Sequence, residues 1–237
     1  MITKIGDIAE MLVAVGVPKG YHAELMRNPS LARAVYENPA VRAYYIQSKV
    51  HEAKITKLAY KDDLTGLGND RFLREILPHE MKRADRNGPL TLKFMDVDSL
   101  KRVNDKQGHT AGSHLLQDIG RIMTTHSRGS DWFFRYGGDE FARLMPNTFL
   151  DQGVEAAYKL FQTPELQDLF GKHGVSMSSG LATYQDARPV EERRGSGTST
   201  PEMFIDQADK AMYHAKAQKG NGRSNICVYK DGEIVLV

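Results

Sequence analysis

The chain has 237 residues, 41% hydrophobic and 26% charged, which suffices for a substantial core and excludes a compositionally disordered protein. Its 32 Lys and Arg against 30 Asp and Glu leave a formal charge of +2, too mild for the basic footprint of a protein that binds a nucleic-acid polymer. A single cysteine, Cys227, excludes an intrachain disulfide and any zinc site built on paired cysteines, and fits a reducing cytoplasm.

In chain order, Ile5, Ile8, Leu12 and Val15 recur at steps of three and four, one apolar helical stripe that Gly16 and Pro18 close. No apolar run reaches the ~20 residues a bilayer span requires, so neither a signal peptide nor a membrane span is expected. Two echoes follow, NPSLARAVYE from Asn28 and NPAVRAYYIQ from Asn38. In each, Asn can cap a helix and Pro can take its first position, where the missing N–H costs nothing. The second echo continues without a breaker to Asp63, with Val41, Tyr45, Ile46, Val50 and Leu58 as a thin apolar stripe. Such a helix leads into another domain, pairs with its own copy, or packs on its own domain. Residues 1–60 are therefore expected to be an all-helical regulatory and dimerisation segment.

From Asp62 the texture changes. The β-rich runs LTLKFMDV, WFFRY and GVSMSSGLATY alternate with helical patterns at 70–87, 110–127, 147–170 and 202–218. This alternation predicts an α/β (α+β) domain over 61–237, with helices around one central sheet. Charge, Gly and Ser without periodicity predict a surface loop at 186–200, and the chain closes with a hairpin about Asp231 and Gly232.

Asp96 and Asp98 close the strand LTLKFMDV, and their side chains are expected on opposite faces, so that only one points into a given site. A second acidic pair, Asp139 and Glu140, follows Gly137 and Gly138 in what reads as a tight hairpin between WFFRY and FARLM. Two strand ends that each offer a carboxylate can hold a divalent cation, because Mg²⁺ takes few protein oxygens and shares its other positions with phosphate and water. Either pair alone is ordinary turn chemistry.

The surrounding motifs change that balance. RYGGDEF (135–141) resembles the signature of the GGDEF family, the diguanylate cyclases. DDLTGLGNDRF (62–72), FMDVDSLKRVNDKQGHTAGSHLL (94–116), SMSSGLA (176–182) and ADKAMYHAKAQKGNGRSN (208–225) are similar to that family's other motifs, in the same order. The resemblance implies a five-stranded, antiparallel-centred sheet like the palm of nucleotide polymerases. It implies that Asp96, Asp139 and the carbonyl of Val97 hold Mg²⁺ (or Mn²⁺), with Glu140 as a further ligand or general base, and that Gly137 and Gly138 admit the α-phosphate. Lys101 and Lys210 would pair with the outer phosphates, and N–H groups near Ser99 and Leu100 would complete the cradle. Leu100 replaces the family's Phe, and His214 stands where several relatives carry Arg.

Asn104 and Ser113 match the two side chains that read guanine in this family, but the second is ordinarily Asp. A carboxylate accepts from guanine N1–H and its 2-amino group and opposes the bare N1 of adenine, whereas a hydroxyl can accept from one base or donate to the other. The change resembles the hybrid promiscuous branch, so the expected enzyme joins GTP and ATP into 3′,3′-cyclic GMP-AMP alongside cyclic di-GMP. The alternatives are an ordinary GTP-specific diguanylate cyclase and a silent domain that only binds cyclic dinucleotide. Arg128 and Asp131 match the family's R-x-x-D inhibitory product site. Because one half-site cannot close a ring of two nucleotides, a homodimer is expected.

Overall fold

Two asparagines set the starts of consecutive helices in the N-terminal part of the computed structural model, which describes residues 5–184, 200–218 and 224–237. The chain divides into two compact units, Met1–Leu58 and Ala59–Val237. In the first, α1 (Ile5–Ala14) ends at Gly16, whose φ of +77° is left-handed, and a 3₁₀ turn (Lys19–Tyr21) leads into α2 (His22–Met26). Asn28 caps α3 (Pro29–Glu37) by accepting from the N–H of Leu31. Asn38 does the same for α4 (Pro39–Tyr60), accepting from the N–H of Ala40 at 2.9 Å. Leu12, Val17, Leu25, Ala32, Val35 and Tyr45 form this unit's core. The side chains of Ile5 and Ile8 lie outside the described residues.

The stripe expected along α4 divides. Tyr45 is buried and Val41 packs against the same core, while Val50 and Leu58 face outward together with Tyr44 and Ile55. Over this length a straight helix drifts around its axis, so one sequence stripe serves two faces.

The second unit is built on one strand. After β1 (Gly68–Asn69) and α5 (Asp70–Asn87), whose cap is the Asn69 side chain, β2 (Leu90–Asp98) is buried along its whole length. It lies antiparallel between β4 (Glu140–Pro146) and β5 (Ser176–Tyr184). β3 (Trp132–Arg135) pairs outside β4, while β6 (Ile226–Lys230) and β7 (Glu233–Leu236) extend the other side. The order is β1-β3-β4-β2-β5-β6-β7, so the described sheet has seven strands where the resemblance implied five; the short edges β1 and β7 account for the difference. The β6–β7 turn has Asp231 at φ +51° and Gly232 at φ +87°, the two left-handed residues that a tight hairpin demands.

Helices cover both faces. Met95, Val97, Phe141, Met145 and Leu181 pack on one side into a core shared with α7 (His109–Thr125), α8 (Leu150–Phe161) and α9 (Pro164–His173). Leu92, Phe94, Phe134, Leu144 and Ala182 meet α5 and α10 (Pro201–Ala217) on the other. The helix expected at 147–170 is thus two helices, since Pro164 cannot continue α8 and instead opens α9. A further helix, α6 (Leu100–Gln107), buries only Leu100 and Val103, too few for its period to show in the sequence. Of the loop expected at 186–200, only Thr200 is among the described residues; its side chain caps α10.

α10 can lie close on β5 because of one glycine. A Cβ at Gly180 would collide with the backbone of Ala208 and Met212. With Ala208, Ala211 and Ala215 as the facing residues, the helix approaches the sheet closely, which governs where its last turn reaches.

Candidate active site

β2 carries Asp96 and Asp98 to the end of the sheet where α6 begins. Residues two apart on a strand share a face, so the expected opposite orientation is wrong. Asp98 Oδ2 accepts from Ser176 Oγ at 3.1 Å and from Ser178 Oγ at 2.9 Å, and these serines stand opposite Asp98 and Asp96 on β5. Both carboxylates face the α10 side, and Asp98 is the one held by serines.

Asp96 is paired in register with Glu140, the first residue of β4, so two carboxylates stand directly across the ladder. Asp139 is tied in beside them, its carbonyl accepting from the N–H of Val97 at 3.0 Å. Like charges so placed repel. Burial, then the charges of Asp139 and Asp98, raise the Asp96 carboxyl above its ordinary range against the lowering effect of Lys216. Glu140 is raised by burial, then by Asp96, Asp209 and Asp139. Lys216, at the end of α10, donates to Asp96 Oδ2 at 2.6 Å. The other oxygen, Asp96 Oδ1, is buried with no hydrogen-bond partner.

These residues fit a divalent cation. Three carboxylates here meet a single ammonium, that of Lys216, and one buried carboxylate oxygen stays without a partner, so the corner can take further positive charge. Among the described residues no group of three His, Cys, Asp or Glu side chains is placed to hold a metal ion by itself.

Next to this corner lies an open cleft of about 470 Å³, lined among others by Leu100, Lys101, Asn104, Ser113, Gly138 and Asp139. Ser99, a non-glycine residue at φ +68°, turns β2 sharply into α6, whose first residues Leu100 and Lys101 line the cleft. Asn104 Oδ1 is buried and unpartnered, and a Cβ at Gly112 would collide with it. An unpartnered amide oxygen can accept a hydrogen bond from a ligand.

The Gly137–Gly138 turn is held from outside. Arg135 donates from Nη2 to the carbonyl of Gly138 at 2.7 Å and from Nη1 to Asp62 Oδ2 at 3.2 Å. Asp62 in turn accepts from Thr65 N–H and Oγ1, hydrogen bonds that, with Arg135, hold its carboxyl low against the opposing effect of burial. In the sequence, Arg135, Asp62 and Lys216 stand only as letters of the motifs RYGGDEF, DDLTGLGNDRF and ADKAMYHAKAQKGNGRSN.

The structure thus gathers Leu100, Lys101, Asn104, Ser113, Gly138 and Asp139 around one cleft, with Asp96, Val97, Gly137 and Glu140 at its acidic corner. It does not bring Lys210 there. That lysine pairs with Asp206 at 2.7 Å, one turn back on α10. His214 lies within hydrogen-bonding reach of Gln218, at 3.4 Å. Arg128 is exposed, while the Asp131 side chain is only 2% exposed and accepts from Arg143 Nε at 3.0 Å.

The family described as diguanylate cyclase, GGDEF domain, matches residues 59–222. Diguanylate cyclase DgcS of Shewanella oneidensis is 28% identical over 91% of this chain and 70% of its own length. Diguanylate cyclase DosC of Escherichia coli is 33% identical over 71% of this chain, which spans 35% of DosC. Among solved structures, the coiled coil and GGDEF domain of DgcB from Caulobacter crescentus superposes with a TM-score of 0.63 at 20% identity, covering 79% of this chain and 96% of that one. That similarity concerns the fold.

Proposed function

The chain belongs to the GGDEF diguanylate cyclase family, and from that premise we propose that it condenses two molecules of GTP into cyclic di-GMP, releasing two pyrophosphates. The observation that carries this reading is the acidic corner of Asp96, Asp139 and Glu140 beside a cleft that holds a bare Asn104 Oδ1. Asn104 and Ser113 would take the guanine edge, with Lys101 and the α6 N–H groups on the phosphates. Asp96 Oδ1, the Val97 carbonyl and Asp139 would hold Mg²⁺, which when bound neutralises the triphosphate and polarises the α-phosphate. Glu140, its carboxyl raised, is suited to take the proton of a 3′-hydroxyl as that oxygen forms its bond to the α-phosphorus and pyrophosphate leaves. A cytoplasmic location belongs to the same reading and rests on the GTP substrate. No helix among the described residues is long and apolar enough to cross a membrane.

The mixed product expected from Ser113 becomes the second reading, since the relatives are named diguanylate cyclases. Ser113 does line the cleft with Asn104, and its hydroxyl can serve either purine. Given equal GTP and ATP, the wild type should yield cyclic di-GMP with a fraction of cyclic GMP-AMP. Ser113→Asp should suppress the mixed product tenfold to a hundredfold, the equivalent of about 1–3 kcal/mol for facing two acceptors. Chromatography of the products decides; cyclic di-GMP alone under excess ATP leaves the GTP-specific enzyme.

Both ring closures need a second active site facing the first, and α4 offers a surface for a second copy. Tyr44, Ser48, His51, Ile55 and Leu58 are exposed at alternating steps of four and three, the spacing of a two-stranded coiled coil. Ile55→Asp is expected to lower specific activity at high dilution severalfold and to lose that deficit as concentration rises. A deficit independent of concentration would count against pairing through α4.

A further inference from the structure

Asp96 has two carboxylate oxygens with opposite fates. Oδ2 accepts from Lys216 Nζ at 2.6 Å, while Oδ1 is buried and bonded to nothing among the described residues. The lysine reaches this point because Gly180 lets α10 lie close on β5, and its side chain remains about a third exposed while Asp96 is almost wholly buried. It is also the only cation among the described residues that forms an ion pair with Asp96. An ammonium is a compact charge with three donors, able to satisfy one oxygen of a carboxylate without covering the other.

We propose that Lys216 is a positioning residue for the reaction: it offsets charge in the carboxylate cluster, occupies Asp96 Oδ2, and so leaves Oδ1 as the one oxygen of Asp96 offered to the metal. The proposal rests on the cyclase reading for its purpose but on this ion pair for its geometry. Lys216 touches neither nucleotide nor reacting phosphate; it acts through Asp96. Without it, Asp96, Asp139 and Glu140 face one another with no internal countercharge, and Asp96 is free to turn both oxygens to a cation.

Two variants of the full chain test this: Lys216→Met, which keeps the length and removes the charge, and Lys216→Arg, which keeps the charge. Mn²⁺ binding without nucleotide, followed by calorimetry, should tighten about tenfold in Lys216→Met, because a competing cation has gone. The thermal transition of that variant should fall in EDTA and recover most of the loss in Mn²⁺, while wild type responds little. Turnover at saturating metal should drop at least tenfold in Lys216→Met, with partial recovery in Lys216→Arg. A thermal loss equal in EDTA and Mn²⁺, with unchanged Mn²⁺ affinity, would show a merely structural contact and overturn the proposal. The metal readouts do not need turnover: a wild type that makes no cyclic dinucleotide but shows this Mn²⁺ response in Lys216→Met would retire the cyclase reading and leave the role of Lys216 standing.

Discussion

Asp96→Asn should reduce synthesis of cyclic di-GMP about a thousandfold or more, while the protein still folds. The substitution keeps the shape of the side chain and an oxygen for Lys216, but it removes the negative charge that a divalent cation and a triphosphate require of the protein. Asp96 stands opposite Glu140 on the ladder and beside Asp139, so no other carboxylate can take its place without moving a strand. Loss of this charge should also relieve the repulsion within the corner, leaving the thermal transition of the metal-free variant equal to or above that of wild type. The measurement is product formation in Mg²⁺ alongside a melting curve in EDTA. Turnover within tenfold of wild type would remove Asp96 from the catalytic set.

Lys93→Met should make the protein more stable near neutral pH by at least about 1–3 kcal/mol, the usual cost of a buried polar group without a partner, with the cost of deprotonating the buried amine added to it. Lys93 lies in the middle of β2, fully buried, its Nζ without a hydrogen bond among the described residues and 5.0 Å from the centre of the Phe161 ring. Burial, aided by the Arg143 guanidinium opposite on β4, pushes its amine far below the ordinary lysine value. Arg143 itself is paired with Asp131, so that carboxylate is already engaged. Attraction to the Phe161 face does not replace lost hydration, so burial favours the neutral amine. At pH values between the lowered folded value of Lys93 and 10.5, the unfolded chain then carries a proton that the folded chain lacks. Wild-type stability should therefore climb as pH rises toward 10.5, at up to about 1.4 kcal/mol per pH unit, and the advantage of Lys93→Met should shrink over the same interval. Urea unfolding of both proteins at several pH values checks this; a constant difference would mean that Lys93 stays charged when folded.

Local chemistry made much of this protein legible without coordinates. Asn-Pro pairs announced α3 and α4, alternation and β-rich runs announced the sheet, Asp231-Gly232 announced the last hairpin, and five ordered motifs pointed to the family before any distance was known. Each is a short-range signal: a cap, a turn or a strand period depends on neighbours within a few residues.

Other features depended on packing between distant segments. The pairing of Asp96 with Glu140 arises from strand register, and the contact of Asp96 with Lys216 joins residues 120 positions apart through the fit of α10 on Gly180. The ion pairs of Asp131 with Arg143 and of Lys210 with Asp206 are likewise set by neighbours within the folded chain. Motif spacing names the residues that a site can use, but the side-chain partners that hold or withhold them are set by which faces meet across the sheet, and those were fixed only when the chain was folded.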